Sequence, residues 1–143
     1  MKQPKAIVAG FGIVGRAAVE ALEARGFALT IIEKNAEVVD RQPPGPRRFL
    51  VGSACEEAVL REAGLHLPDA AYLVLTMPDE RDAVCAAEVA NDVRPACWIV
   101  ARTNFVSQGL LARRNGADAV VIEEVATAEA IAKLVGDHAD AAG

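Results

Sequence analysis

Long apolar runs are missing from this sequence. The longest strongly apolar stretch, Ala6–Val14, is nine residues and contains two glycines. A membrane-spanning helix needs about 20, so the chain is not expected to cross a bilayer. Nor does the N-terminus, Met-Lys-Gln-Pro-Lys, lead into an apolar signal region with a cleavage site. Cysteine is scarce. Cys55, Cys85 and Cys97 are odd in number and widely spaced, no C-x-x-C occurs, and His66 and His138 lie near none of them in sequence. That pattern argues against a zinc centre and for reduced, mostly buried thiols in a cytoplasmic protein. Cys97 lies in an apolar run and is expected in the core. Cys55 follows a glycine turn and is the one redox-sensor candidate. Positive charge is in deficit: 15 Lys and Arg stand against 20 Asp and Glu, a net charge of −5. Nucleic acid and anionic membrane surfaces are therefore not the default partners. Finally, 143 residues suffice for one domain with one good core, and leave no room for a separate substrate domain.

What is present is a steady alternation of short apolar runs with helical patterns. The runs 5–9 (KAIVA), 28–32 (ALTII), 49–51, 71–76 (AYLVLT), 97–101 (CWIVA) and 119–122 (AVVI) read as six strands. Helices are expected over 14–25, 35–41, 56–63, 79–91, 104–115 and 127–135. Gly26, Gly64 and Gly116 stand past three helix ends, and Asn104 is a candidate N-cap. Pro78 is expected in the first turn of the fourth helix. Residues 42–48 (QPPGPRR) are a loop, because their prolines support neither helix nor sheet hydrogen bonding. The strands are continuously apolar instead of alternating, which implies burial on both faces. The expected fold is thus α/β, a Rossmann-like doubly wound parallel six-stranded sheet with helices on both faces. One domain is expected over 1–136, with 137–143 as an Ala-rich, fraying tail.

Between the first strand and the first helix stands Gly10-Phe11-Gly12-Ile13-Val14-Gly15, a G-x-G-x-x-G in the strand–turn–helix context that makes the motif meaningful. Gly10 provides the tight turn, Gly12 lets a pyrophosphate approach the backbone, and Gly15 permits close helix–strand packing. The helix N-terminus then offers free N–H groups to phosphate. Eighteen residues on, Glu33 ends the second strand. An acid there accepts hydrogen bonds from both adenosine ribose hydroxyls and repels a 2′-phosphate, disfavouring NADP. Lys34 beside it weakens that exclusion. No reaction centre accompanies the nucleotide motif. The single tyrosine, Tyr72, lies in a strand and reads as core, while His66 and His138 read as solvated. No nucleophile elbow, H-E-x-x-H or P-loop occurs. The chemistry tilts from enzyme towards sensor.

With these elements in order, residues 5–125 resemble the RCK/KTN (TrkA-N) family, the nucleotide-binding regulatory domains of potassium channels, uptake systems and potassium/proton antiporters. VAGFGIVG, IIEKN, GSACEEAVLREAGLHLPDAAYLVLT, IVARTN and LLARRNGADAVVIEE carry the resemblance. It implies that the phosphate turn is Gly10–Gly15, Phe11, Ile13 and Val14 included, and that Glu33 and Lys34 lie at the ribose. Ser53, with Ala54 beside it, stands near the adenine where relatives commonly have aspartate. Thr76 and Met77 match the loop lining the far half of the nucleotide. Arg102 matches a basic residue that reaches phosphate or a neighbouring subunit, against the alternative of a surface ion pair. Glu124, with Glu123, matches an acid that in some relatives helps hold a cation; a solvated helix start is the favoured alternative. Phe11 stands where some relatives carry a charged residue reading terminal phosphates, so NAD(H) is the expected ligand, with AMP, ADP or ATP as alternatives.

The resemblance further implies a non-enzymatic, cytoplasmic module at the inner face of a membrane. It would form a homodimer or higher ring and gate a potassium channel, transporter or antiporter, with no nucleic acid involved. The helices carrying Val84, Glu88, Leu110 and Leu111 are the expected dimer face. A free subunit and a piece of a larger transporter both fit. The rival readings are an NAD-dependent oxidoreductase fragment and a dimerisation scaffold that binds no nucleotide.

Overall fold

The six apolar runs do assemble side by side. In a computed structural model, which describes residues 3–143, the chain runs β1(Lys5–Ala9), α1(Ile13–Glu23), β2(Ala28–Glu33), α2(Ala36–Asp40), β3(Arg48–Val51), α3(Glu57–Glu62), β4(Ala70–Leu75), α4(Glu80–Val93), β5(Trp98–Thr103), α5(Val106–Arg114), β6(Ala119–Ile122) and α6(Glu123–Ala142). The strands form one sheet in the order β3-β2-β1-β4-β5-β6. Every pairing is parallel. The chain builds outward from β1 to β3, crosses over, and builds outward again from β4. The order therefore reverses between β1 and β4, and a crevice opens there at the carboxyl ends of the strands.

Successive strand residues point to opposite faces, and they supply two cores. Ile7, Ala9, Ile32, Leu73, Leu75 and Ile99 pack with Leu60, Ala83, Ala87 and Ala112 of α3, α4 and α5. Ala6, Val8, Leu29 and Ile31 pack on the other face with Val19 of α1 and Phe11. Each fully buried Ile or Leu contributes about 1.5–3 kcal/mol. Small residues along α4 (Ala83, Ala86, Ala87, Ala90, all buried) let it lie close on the sheet. The cover is uneven. α1 and α2 lie over β1–β3, whereas on that face Trp98 of β5 and Val121 of β6 remain 45% and 51% exposed.

Several local expectations change. α4 begins at Glu80, and Asp79 is its N-cap, with the side chain accepting from the Arg81 N–H, so Pro78 precedes the cap instead of lying in the first turn. The N-cap of α5 is Phe105 and not Asn104. The amides of Asn104 and Phe105 donate to the Glu80 carboxylate instead (2.8 and 3.1 Å). α6 starts directly at the end of β6 and runs through residues 137–142, which were expected to be a tail; none of its residues is buried. Val84 is buried and belongs to internal packing, while Leu110 is 63% exposed.

One arginine ties α4 to the loop before β4. Arg94 follows α4 and its guanidinium donates to the carbonyls of Leu67, Pro68 and Ala70. Arg94→Ala leaves three carbonyls without that partner. It is expected to cost about 1–3 kcal/mol, read as a lower denaturant midpoint at unchanged slope.

Candidate functional site

The glycine turn sits over the β1–β4 seam, and Thr76 fastens it. The Thr76 hydroxyl is buried beneath the turn, 2.8 Å from the Ala9 carbonyl and 3.1 Å from that of Gly10. Gly10 adopts φ +95°, and a Cβ there would meet the Thr76 hydroxyl at 2.8 Å. At Gly15 a Cβ would fall 1.9 Å from the Gly10 carbonyl oxygen, which no packing tolerates. Gly12 is different. Its φ of −87° suits any residue, and a Cβ there would meet no atom of the protein within 4 Å. The open ground above Gly12 is where a group from outside would approach the backbone.

The helix that begins there is uncapped. α1 has no side-chain cap and no acid in its first turn. By contrast, α2 and α4 are capped by Asn35 and Asp79 and carry acids in their first turns. The leading N–H groups of α1 and the positive end of its dipole thus point at the open ground without a carboxylate to answer them. An anion fits this cradle.

Glu33 flanks it. One carboxylate oxygen accepts from the Phe11 N–H (3.2 Å) and the other from the Asn35 N–H (2.8 Å). A carboxylate offers about four acceptor positions, so two remain for hydroxyls of a ligand. The group is held in place before any ligand arrives.

Two cavities flank the turn. One, of about 340 Å³, is lined by Gly10, Glu33, Lys34, Ser53, Ala54 and Met77 together with Asn35, Val38, Pro78 and Asp82. The second, of about 300 Å³ and mostly apolar, is lined by Val14, Val74, Thr76, Val100, Arg102, Val121 and Glu123. The structure therefore brings Gly10, Glu33, Lys34, Ser53, Ala54 and Met77 into one cavity, and Val14, Thr76 and Arg102 into the other. Ile13 is 90% exposed at the helix start. Phe11 presents only backbone to this region. Its ring is buried against Phe49 (5.3 Å between centroids), with the guanidinium groups of Arg16 and Arg47 over it.

Three charged residues have specific partners. Lys34 pairs with Asp82 at 2.7 Å across the rim of the first cavity. The Asp82 partner raises the Lys34 pKa. Arg102 pairs with Glu123 (2.9 Å) and donates to the Thr76 carbonyl (3.3 Å), so the ion pair given as the alternative for this residue is present. Glu124 accepts from the Val106 N–H (3.2 Å), capping the start of α5. Sequence reasoning missed Asp82, Asn35 and Pro78 as lining residues. Asn35 directly follows the acid–lysine pair, and its polar side chain at a helix start was the available signal.

Comparison with known proteins follows the same lines. YbaL of Escherichia coli, named as a candidate cation/proton antiporter, is 29% identical over 130 residues, which is 91% of this chain and 23% of that protein. The Trk system potassium uptake protein TrkA of Mycobacterium tuberculosis is 31% identical over 111 residues, 78% of this chain and 44% of that one. The chain thus spans less than half the length of either relative. Among solved structures, the TrkA-N domain of the inner membrane protein YbaL of Escherichia coli superposes with a TM-score of 0.85 at 28% identity, covering 93% of this chain and 97% of that one. The Kef CTD of Shewanella denitrificans in its AMP-bound form gives 0.73 at 25% identity, covering 91% and 80%. The GsuK channel bound to NAD shares the fold, with 0.70 at 19% identity over 84% of this chain and 21% of that one. The TrkA-N domain family model matches residues 6–123, and the chain belongs to that family.

Proposed function

We propose that this chain is a non-enzymatic regulatory domain that binds NAD(H) or another adenine nucleotide and sets the state of a cation transporter. The observation that carries the reading is the open, uncapped cradle at Gly12, with Glu33 already locked beside it. In this reading the phosphates rest on the backbone of Gly10 to Gly15, Phe11, Ile13 and Val14 included, and on the first turn of α1. The ribose hydroxyls donate to Glu33 beside Lys34. The adenine enters the cavity of Ser53, Ala54 and Met77. The second half of a dinucleotide extends towards Val14, Thr76 and Arg102. A cavity on each side of the turn favours a dinucleotide over AMP, ADP or ATP, which would fill one side.

The regulatory part follows from kinship and energetics. A bound nucleotide shifts a partner only if it binds two states of the assembly with different affinity. The relatives named for potassium uptake and cation/proton antiport make a membrane channel, transporter or antiporter the proposed partner, met at the cytoplasmic face by a homodimer or higher ring. Glu124, occupied in capping α5, is not proposed as a metal ligand.

Calorimetry against NAD, NADH, NADP, ATP, ADP and AMP tests the site. Saturable binding, tightest for NAD or NADH, is expected. No heat with any of them at millimolar concentration would leave only a dimerisation scaffold. Substrate-dependent oxidation of NADH by the chain would instead identify an oxidoreductase.

A further inference from the structure

Two of the three cysteines lie close together beside the first cavity, next to its lining residues Ala54 and Asp82. Cys55 lies on the loop between β3 and α3, half-buried, and its thiol donates to the carbonyl of Asp82 at 3.4 Å. Cys85 stands one turn beyond Asp82 on α4, so the two residues share a side of that helix. Cys85 is exposed, and the Asp82 carbonyl that holds the Cys55 thiol lies one helical turn before it, which sets the two thiols side by side against the start of α4. Ser53 and Ala54, just before Cys55, line the cavity, as does Asp82. Cys97 is buried elsewhere, in β5's approach to the core.

An exposed thiol with a shielded one close by is the arrangement in which an oxidised sulfur is captured before it can react further. We propose that Cys55 and Cys85 are a modification site: on exposure to a peroxide they form an intrachain disulfide that ties the β3–α3 loop to α4. The chemistry balances in two steps. The Cys85 sulfur attacks one oxygen of hydrogen peroxide; an S–O bond forms, the O–O bond breaks, and the departing hydroxide leaves as water with the thiol proton. The Cys55 sulfur then attacks the Cys85 sulfur; the S–S bond forms, the S–O bond breaks, and the hydroxyl leaves as a second water with the Cys55 proton. Two thiols are oxidised and one peroxide is reduced to two waters.

Exposure sets the order. Cys85 meets the oxidant first, since Cys55 is shielded and burial pushes its thiol up to about 12. The neighbouring Cys85 contributes to that rise through hydrogen bonding and charge. Proximity compensates for the small thiolate fraction, because the second step is intramolecular.

The test uses the full chain, a few equivalents of hydrogen peroxide, intact-mass measurement and non-reducing peptide mapping. The expected product has lost two hydrogens (about 2 Da), carries a Cys55–Cys85 cross-link, remains a single chain, and returns to the starting mass with dithiothreitol. Cys55→Ser should leave Cys85 as a sulfenic acid trapped by dimedone. Cys85→Ser, at an exposed position, should leave Cys55 reduced under the same dose. If wild-type Cys85 is instead trapped by dimedone, over-oxidised or joined to a second chain while Cys55 stays free, the proposal is overturned. None of these readouts depends on whether the chain binds a nucleotide.

Discussion

Gly12→Ala is expected to leave the domain folded and abolish nucleotide binding, whereas Gly15→Ala is expected to unfold it. Both changes add one methyl group within four residues of each other, and the surroundings decide the outcome. At position 15 the new carbon would lie 1.9 Å from the Gly10 carbonyl oxygen, a backbone atom that cannot swing aside. Overpacking ordinarily costs about 1–3 kcal/mol. A backbone clash this close is placed at the top of that range or above, a large part of the total of about 5–15 kcal/mol that holds a domain together. At position 12 the methyl meets no protein atom within 4 Å and the backbone angle suits alanine. Stability should shift by no more than about 0.5 kcal/mol. A pyrophosphate resting on that backbone would be displaced, and a loss of about 3 kcal/mol corresponds to roughly 100-fold in Kd. Thermal denaturation and calorimetry on the two variants check the pair. A Gly12→Ala protein that binds NAD like the wild type would move the phosphates away from this turn.

The second large effect is expected at Glu33. Its two oxygens are oriented by the Phe11 and Asn35 amides, leaving acceptor capacity for two ribose hydroxyls. Hydrogen bonds to a charged group contribute about 1.5–3 kcal/mol each. Glu33→Arg should therefore weaken NAD by about 100-fold and narrow or reverse the preference over NADP, because a guanidinium attracts the 2′-phosphate that the carboxylate repels. Equal, unchanged affinities for both cofactors would remove the ribose from this position. The variant also loses the acceptor for two backbone amides, so its stability should be measured alongside.

The glycine turn was legible because every determinant is local. Strand, turn and helix lie within about twenty residues, and each glycine answers a constraint that any such turn imposes. The parts that eluded the sequence are made by residues far apart. Glu80 takes the Asn104 and Phe105 amides from 24 and 25 positions away, which is why the apparent cap at Asn104 is not one. Lys34 finds Asp82 across 48 residues, and no spacing rule announces that pair. The motif places the Phe11 backbone in the turn but says nothing of its ring. The ring is drawn into the core by Phe49, which lies far away in sequence, with two arginines above it. α6 is longer than the expected 127–135 because it opens at Glu123 and Glu124, directly off β6, with no turn between strand and helix. The alanine-rich continuation shows little amphipathic contrast to mark its end.

The position of the candidate site at the β1–β4 seam has a consequence for how the chain is made and how it melts. One of the two partners of β1 is β4, which lies some 65 residues later in the chain. The turn after β1 is held from below by Thr76, the residue that follows β4. No native phosphate cradle can exist on a nascent chain until that residue has emerged and the parallel crossover has closed, a non-local and intrinsically slow step. The same geometry runs in reverse on heating. The amides beside the cradle belong to the middle of the sheet, which opens last, so the site is lost with the whole domain instead of fraying ahead of it. A nucleotide bound there would raise the midpoint of global unfolding in proportion to the logarithm of its concentration.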